Sequence, residues 1–205
     1  NLARKQPLFD RFVTWGGSYG SFNSWRQSVD AGWTNKTQTF AVRLNGLWRE
    51  SDHYRNDKHS RMAAVNPTIT WQPNKSSAFN LDAEYVDSRY QPDSGLPLLY
   101  NRSTLQLDQF PQVSRKTSYQ SPWDVSEQKV GRVKANYTRR WSPDRELHMR
   151  FFYMDMDWFS RGTLVTGGFP SYPETFLVGR TLPILQDRQN WLGWTSQYSS
   201  RFSTG

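Results

Sequence analysis

Period-two alternation constrains this chain more than any other feature. In FAVRLNGLW one row reads Phe40, Val42, Leu44, Gly46, Trp48 and the other Ala41, Arg43, Asn45, Leu47. SWRQSVDAGW divides into Trp25, Gln27, Val29, Ala31, Trp33 against Arg26, Ser28, Asp30, Gly32. The same division recurs in VNPTITW, FNLDAEY, VGRVKANYT and ELHMRFFY, and more weakly in WLGWTSQY. Successive side chains of a strand point to opposite faces, so each segment reads as a strand with one apolar and one polar face. Helical periodicity is almost absent. With a first strand near Phe9 to Trp15, the pattern gives about eight strands. Pro67 lies inside one of them, and its missing N–H predicts a local distortion or bulge there.

The connections alternate in length. Short polar turns lie near Asn35, Asn74 and Pro143, while longer joins lie near Gly20 and at 50–59, 88–126 and 157–189. The last two exceed the roughly 15 residues usual for a compact domain, a length associated with functional loops. Strand parity puts every short turn on one side of the sheet and every long loop on the other. That asymmetry is characteristic of outer-membrane β-barrels.

Tryptophans stand beside the turns: Trp33, Trp71 and Trp141 each precede a short one. The chain holds ten Trp and ten Tyr, although its mean hydropathy is only −0.83. Such rings suit places where one end is wet and the other apolar. No apolar run approaches the roughly 20 residues of a membrane helix. The Trp25–Trp33 and Phe40–Trp48 rows each span eight residues, about 20 Å of height for a tilted strand. An outer-membrane apolar band is about 25 Å tall. Trp25, Trp33, Phe40, Trp48, Trp71 and Trp141 are therefore expected to form girdles at the edges of that band. The fold class expected is all-β, an antiparallel transmembrane β-barrel. Two alternatives stand beside it: a soluble or surface β-sandwich that binds glycans through exposed aromatics, and a complete small barrel with a structural or adhesion role.

The net charge is +8 and the pI about 9.8. Basic residues are dispersed among acids, so a lumen-facing row (Arg26, Asp30, Arg43, Asp82, Glu84, Arg132, Lys134) is a better use for them than nucleic-acid binding. There is no cysteine, hence no disulfide framework or thiolate metal site. NLARKQPLFD lacks a signal-peptide pattern, so the chain is either cytosolic or without its leading portion. No catalytic set emerges, and the expectation is a non-enzyme without a cofactor. His53, His59, Asp52 and Asp57 lack recognised metal-ligand spacing, and Asp155 and Asp157 read as exposed acids rather than a Ca²⁺ site. GTLVTGG has no following Lys-Ser/Thr and is not a phosphate loop.

Several segments resemble the TonB-dependent outer-membrane siderophore receptors. NLARKQPLFDRF is similar to the junction where the plug of such a receptor leads into its first barrel strand. GSYGS (17–21) resembles the first hairpin, followed by WRQSVDAG, and RLNGLWRESDHYR (43–55) the third strand and its loop. PTITWQPNKSSAFNLDAEYVDSRYQPDSGLP (67–97) resembles the strand–turn–strand that leads into an Asp-x-Gly-Leu-Pro loop, here Asp93, Gly95, Leu96 and Pro97. The resemblance implies residues 1–8 ending a plug or linker and residues 9–205 forming the N-terminal portion of a 22-stranded barrel, the plug itself being absent. It implies uptake of a ferric siderophore, iron arriving as a chelate, with energy coupling to the TonB complex through a missing N-terminal region and outer-membrane lipid around the wall. Aromatic and basic side chains would hold the chelate: Tyr90, Tyr100, Arg102, Tyr119 and Trp123 in the third loop, Tyr172 in the fourth, and Arg43 and Arg132 in the lumen.

Overall fold

The structure is a computed structural model that describes residues 5–101, 103–171 and 175–202. Every regular element is a strand. Eight strands form one antiparallel sheet: β1 (Phe12–Gly20), β2 (Ser24–Thr34), β3 (Phe40–Asp52), β4 (His59–Asn74), β5 (Ser77–Tyr90), β8 (Val125–Ser142), β9 (Arg145–Arg161) and β12 (Ile184–Ser200), in that spatial order. Four short strands, β6 (Leu99–Asn101), β7 (Gln106–Gln109), β10 (Leu164–Ser171) and β11 (Thr175–Thr181), form a second sheet in the order β11-β10-β6-β7. The large sheet does not close: β1 and β12 are its two edges.

Each short turn is fixed by a side chain that satisfies the backbone. Asn35 Oδ1 accepts from the N–H groups of Thr39 (2.9 Å) and Phe40 (3.1 Å). Asn74 Oδ1 accepts from Ser76 N–H at 2.9 Å, and Ser142 Oγ from Asp144 N–H at 3.3 Å. These are the Asx and Ser turns that such residues favour. The join near Gly20 is tight rather than long. β1 begins three residues later than Phe9 and runs through GSYG, and the reversal is made at 21–23, where Phe22 and Asn23 take positive φ of 61° and 51°. Asn tolerates that conformation, and its Oδ1 accepts from Trp25 Nε1–H at 3.1 Å while Tyr19 packs on Trp25 at 4.5 Å.

Pro67 does not break its strand. The β3–β4 register runs straight through Leu44↔Pro67, and the β4–β5 register is unshifted on either side of positions 66–67. The Ala83 carbonyl opposite, deprived of a backbone donor, accepts from the Asn66 side-chain amide. The irregularity in β4–β5 falls instead between Trp71 and Asn74. The long joins are also shorter than expected, spanning 91–124 and 162–183, because the flanking strands project beyond the apolar rows.

Candidate functional site

The apolar rows lie on one face and stay uncovered. Cross-strand partners join them into continuous rungs, such as Trp33–Val42–Ile69–Leu81–Ala135–Phe151–Trp194. Val13 is 78% exposed, Trp15 70% and Leu192 71%. Among the described residues the buried hydrophobic side chains are only Ala41, Val125 and Val130, whereas the buried polar ones include Thr68, Asp82, Asp124 and Ser126. A water-soluble sandwich puts its apolar faces together; here Trp15, Val29, Leu44, Val65 and Trp194 of that face remain exposed.

The six girdle positions all fall on this face. Trp25 and Trp48 sit at its long-loop end, and Trp33, Phe40, Trp71 and Trp141 at its short-turn end, where Trp33 meets Phe40 at 6.3 Å and Trp141 meets Tyr198 at 6.2 Å. The upper aromatic edge crosses the ladder obliquely, through Trp25 on β2, Trp48 on β3, Tyr85 on β5 and Tyr153 on β9. Partners followed from Trp25 through Glu50, Arg61, Arg89 and Glu127 lead to Phe159 on β9. Tyr153 lies six residues short of Phe159, five strand steps from Trp25. With about 3.3 Å per residue and about 4.8 Å between strands, that offset makes a strand tilt of about 40°. Outer-membrane barrels tilt their strands by roughly 35–45°.

The opposite face carries the polar row. Arg43 grips Asp30 with two hydrogen bonds, Nε to Oδ1 at 2.8 Å and Nη2 to Oδ2 at 2.7 Å, while its Nη1 donates to the Gln6 carbonyl at 2.8 Å. Lys5 Nζ reaches the same carboxylate at 2.8 Å. Arg43 thus ties the segment before β1 to the wall. Arg132 sits 3.3 Å from Glu84 and 3.5 Å from the Met154 sulfur.

Above the strands, three loops share a polar cluster that no motif announces. Asp124, 1% exposed, accepts from Thr163 N–H at 2.8 Å and from its hydroxyl at 3.1 Å. Ser94 Oγ donates to the Thr163 carbonyl at 2.7 Å and accepts from Gln120 Nε2 at 2.8 Å. Lys58, 6% exposed, donates to the Pro92 carbonyl at 2.9 Å. Burial pushes the Lys58 pKa down, against the opposing pull of Asp93, Asp124 and Asp57; Arg55 adds to the lowering. The Asp-x-Gly-Leu-Pro stretch has a local cause: Asp93 Oδ1 accepts from Gly95 N–H at 2.9 Å, and Gly95 takes φ of +79°. Asp93 also pairs with Arg55 at 2.9 Å, and Arg55 Nη1 donates to the carbonyls of Arg115 and Thr117 at 3.2 and 3.1 Å.

The ligand candidates are dispersed around this cluster. Tyr90 ends β5 on the polar-face row, and Tyr100 lies in β6 opposite Leu107. Tyr119 is half-buried, which raises its pKa, and its carbonyl accepts from Arg180 Nη1 at 3.4 Å. Trp123 is exposed, and its carbonyl accepts from Arg161 Nη2 at 2.8 Å. Arg102 and Tyr172 lie outside the described residues. A 600 Å³ cavity lined by Tyr54, Arg55, Leu96, Phe110 and Arg115 opens among the loops. His53 lies 3.9 Å from Asp93, and His59 lies between Glu50 and Asp52 at 3.1 and 3.0 Å.

No family model matches the sequence, and no curated protein is similar to it at the sequence level. Solved structures are. The ferric-catecholate import receptor Fiu from E. coli K12, in its open form, superposes with a TM-score of 0.86 at 18% identity, over 98% of this chain and 32% of the receptor. The ferric preacinetobactin receptor BauA from Acinetobacter baumannii gives 0.74 at 16% identity, over 98% and 29%. The pyoverdine outer-membrane receptor FpvA from Pseudomonas aeruginosa PAO1 gives 0.75 at 14% identity, over 94% and 28%. The chain spans less than a third of each receptor's length. Its eight-stranded open sheet has the fold of part of the β-barrel of a TonB-dependent siderophore receptor.

Proposed function

We propose that the chain is part of an outer-membrane TonB-dependent receptor that binds a ferric siderophore and imports it. The observation that carries this reading is the uncovered apolar face bounded by aromatic rings at both ends, backed by a polar, ion-paired face. A sandwich would hide the first face, and a complete eight-stranded barrel would join β1 to β12. The structural neighbours are transport receptors rather than enzymes, which favours a non-catalytic role. In this reading lipid surrounds the wall and the loops face outward. Tyr90, Tyr100, Tyr119, Trp123 and Arg132, with Arg102 and Tyr172, contribute to chelate recognition, and iron enters as cargo inside its chelator. Arg43 acts as a wall anchor instead, because each of its three nitrogens already donates to Asp30 or to the Gln6 carbonyl. The TonB complex engages a region of the full receptor outside this segment.

Radiolabelled iron uptake from a panel of chelates, in cells lacking the full-length gene and in cells complemented with it, tests the proposal. Uptake of at least one chelate is expected to depend on the gene. Replacing Trp123 or Arg132 by Ala is expected to raise the half-saturating concentration of that chelate about fivefold. Unchanged uptake of every chelate on deletion would remove the siderophore reading.

A further inference from the structure

We propose that Met154 and Met156 form an oxidation site on the polar face of the wall, where peroxide converts them to sulfoxides that restrain Arg132. The site follows from side-chain geometry; its bearing on uptake rests on the receptor reading above. The chain holds four methionines. Met149 belongs to an apolar row, opposite Tyr137. The other three fall on the polar face: Met62 between Arg49 and Ser88, Met154 between Arg132 and Trp191, and Met156 between Val130 and Gln189.

Two of these sulfurs serve as hydrogen-bond acceptors. Arg132 Nε donates to the Met154 sulfur at 3.5 Å, and Gln128 Nε2 donates to the Met156 sulfur at 3.3 Å. Met154 lies within the polar-face rung Glu84–Arg132–Met154–Trp191. A thioether is a weak acceptor, so this contact holds Arg132 loosely. Its Nη1 reaches Glu84 at a long 3.3 Å, and its side chain is 40% exposed. Met154 and Met156 are themselves half-buried, open to an oxidant as small as hydrogen peroxide.

The chemistry needs only that co-reactant. The thioether sulfur attacks one peroxide oxygen, and the S–O bond forms as the O–O bond breaks. Sulfur gives up two electrons to the peroxide. The proton on the transferred oxygen passes to the departing hydroxide, which leaves as water. The product carries a polar oxygen where a polarizable sulfur stood, and sulfoxide reductases reverse the change. Beside Arg132 that oxygen accepts a charge-assisted hydrogen bond, shorter and stronger than the contact to sulfur. The guanidinium is then drawn to the wall and is less free to meet an anionic chelate. Oxidation thereby lowers the receptor's affinity for its cargo without altering the fold.

The test treats the complete receptor in detergent with dilute hydrogen peroxide and maps methionine sulfoxide by peptide mass spectrometry. Met154 and Met156 are expected to oxidise before Met149. Phenylglyoxal, which adds to guanidine groups, then reports on Arg132. Labelling of Arg132 is expected to slow about fivefold after oxidation, and to recover after treatment with reductases for both sulfoxide epimers. In Met154→Leu/Met156→Leu, which keeps side-chain volume, peroxide should leave the Arg132 labelling rate unaltered. Uptake from the radiolabelled chelate panel should show the same contrast between wild type and double variant. Sulfoxide missing from 154 and 156 when Met149 is already oxidised would overturn the site. So would equal slowing in the wild type and the double variant. Slowed labelling with unchanged uptake would uphold the site and remove Arg132 from chelate recognition instead.

Discussion

Asp124 shows how much of the loop architecture depends on one side chain. Its two oxygens hold the N–H and hydroxyl of Thr163, which begins the excursion between β9 and β12. Asp124→Ala leaves two buried donors without an acceptor, at an expected cost of about 2–4 kcal/mol. The expected readout is faster proteolysis within 91–124 with the strands intact. Lys58 supplies a pH signature. Its folded pKa is lowered, so the unfolded chain holds more protons just below the ordinary lysine value. Stability of the loop cluster should rise with pH on the alkaline approach to the ordinary lysine value. Thermal melts at a series of pH values up to about 10.4 should show the slope in the wild type and lose it in Lys58→Met. None of this was legible in the sequence. SPWDVSE carries no motif, and Thr163 is 39 residues away from its partner. Buried polar networks are assembled by long-range contacts, and local periodicity carries no trace of them.

At the level of strands, two glycines on the polar face are set by a neighbour's ring. A Cβ on Gly193 would lie 2.2 Å from the Phe152 ring, and one on Gly32 2.2 Å from Phe12. The Phe–Gly pairs face each other directly across β9–β12 and β1–β2. Gly193→Ala is therefore expected to destabilise the β9–β12 pairing by about 1–3 kcal/mol, and the added change Phe152→Ala should recover part of that loss. A urea titration of the two variants and the double variant measures the coupling. Strand existence was legible because alternation over eight or more residues admits little else. Strand ends were not: β9 continues through Met154, Met156 and Trp158 on a face the pattern marked as polar, and β1 absorbs a stretch that looked like a turn. Glycine and serine permit a reversal without requiring one. Pro67 misled for a related reason, since a side-chain amide one residue away repaired the missing bond.

For the molecule as a whole, the two faces should respond oppositely to charge. Leu44→Arg puts a cation among apolar neighbours and is expected to cost about 2–4 kcal/mol in lipid. Ser28→Arg, on the polar face, should cost far less. Folding titrations in lipid vesicles compare the two. The architecture was legible from row ends, because tryptophans close the apolar rows beside the turns. The second sheet was not, because β6 and β10 are parallel partners drawn from separate loops, joined where Gly168 N–H donates to the Leu98 carbonyl at 3.0 Å.

The scarcity of buried apolar side chains has a thermodynamic corollary. Most proteins carry their own oil; on the membrane-spanning proposal this one would borrow it, and the acyl chains would act as a structural component. Its resistance to denaturation would then be a property of protein and lipid jointly. Tail length should tune it, with a maximum where the hydrocarbon slab matches the roughly 20–25 Å between the two rings of indoles.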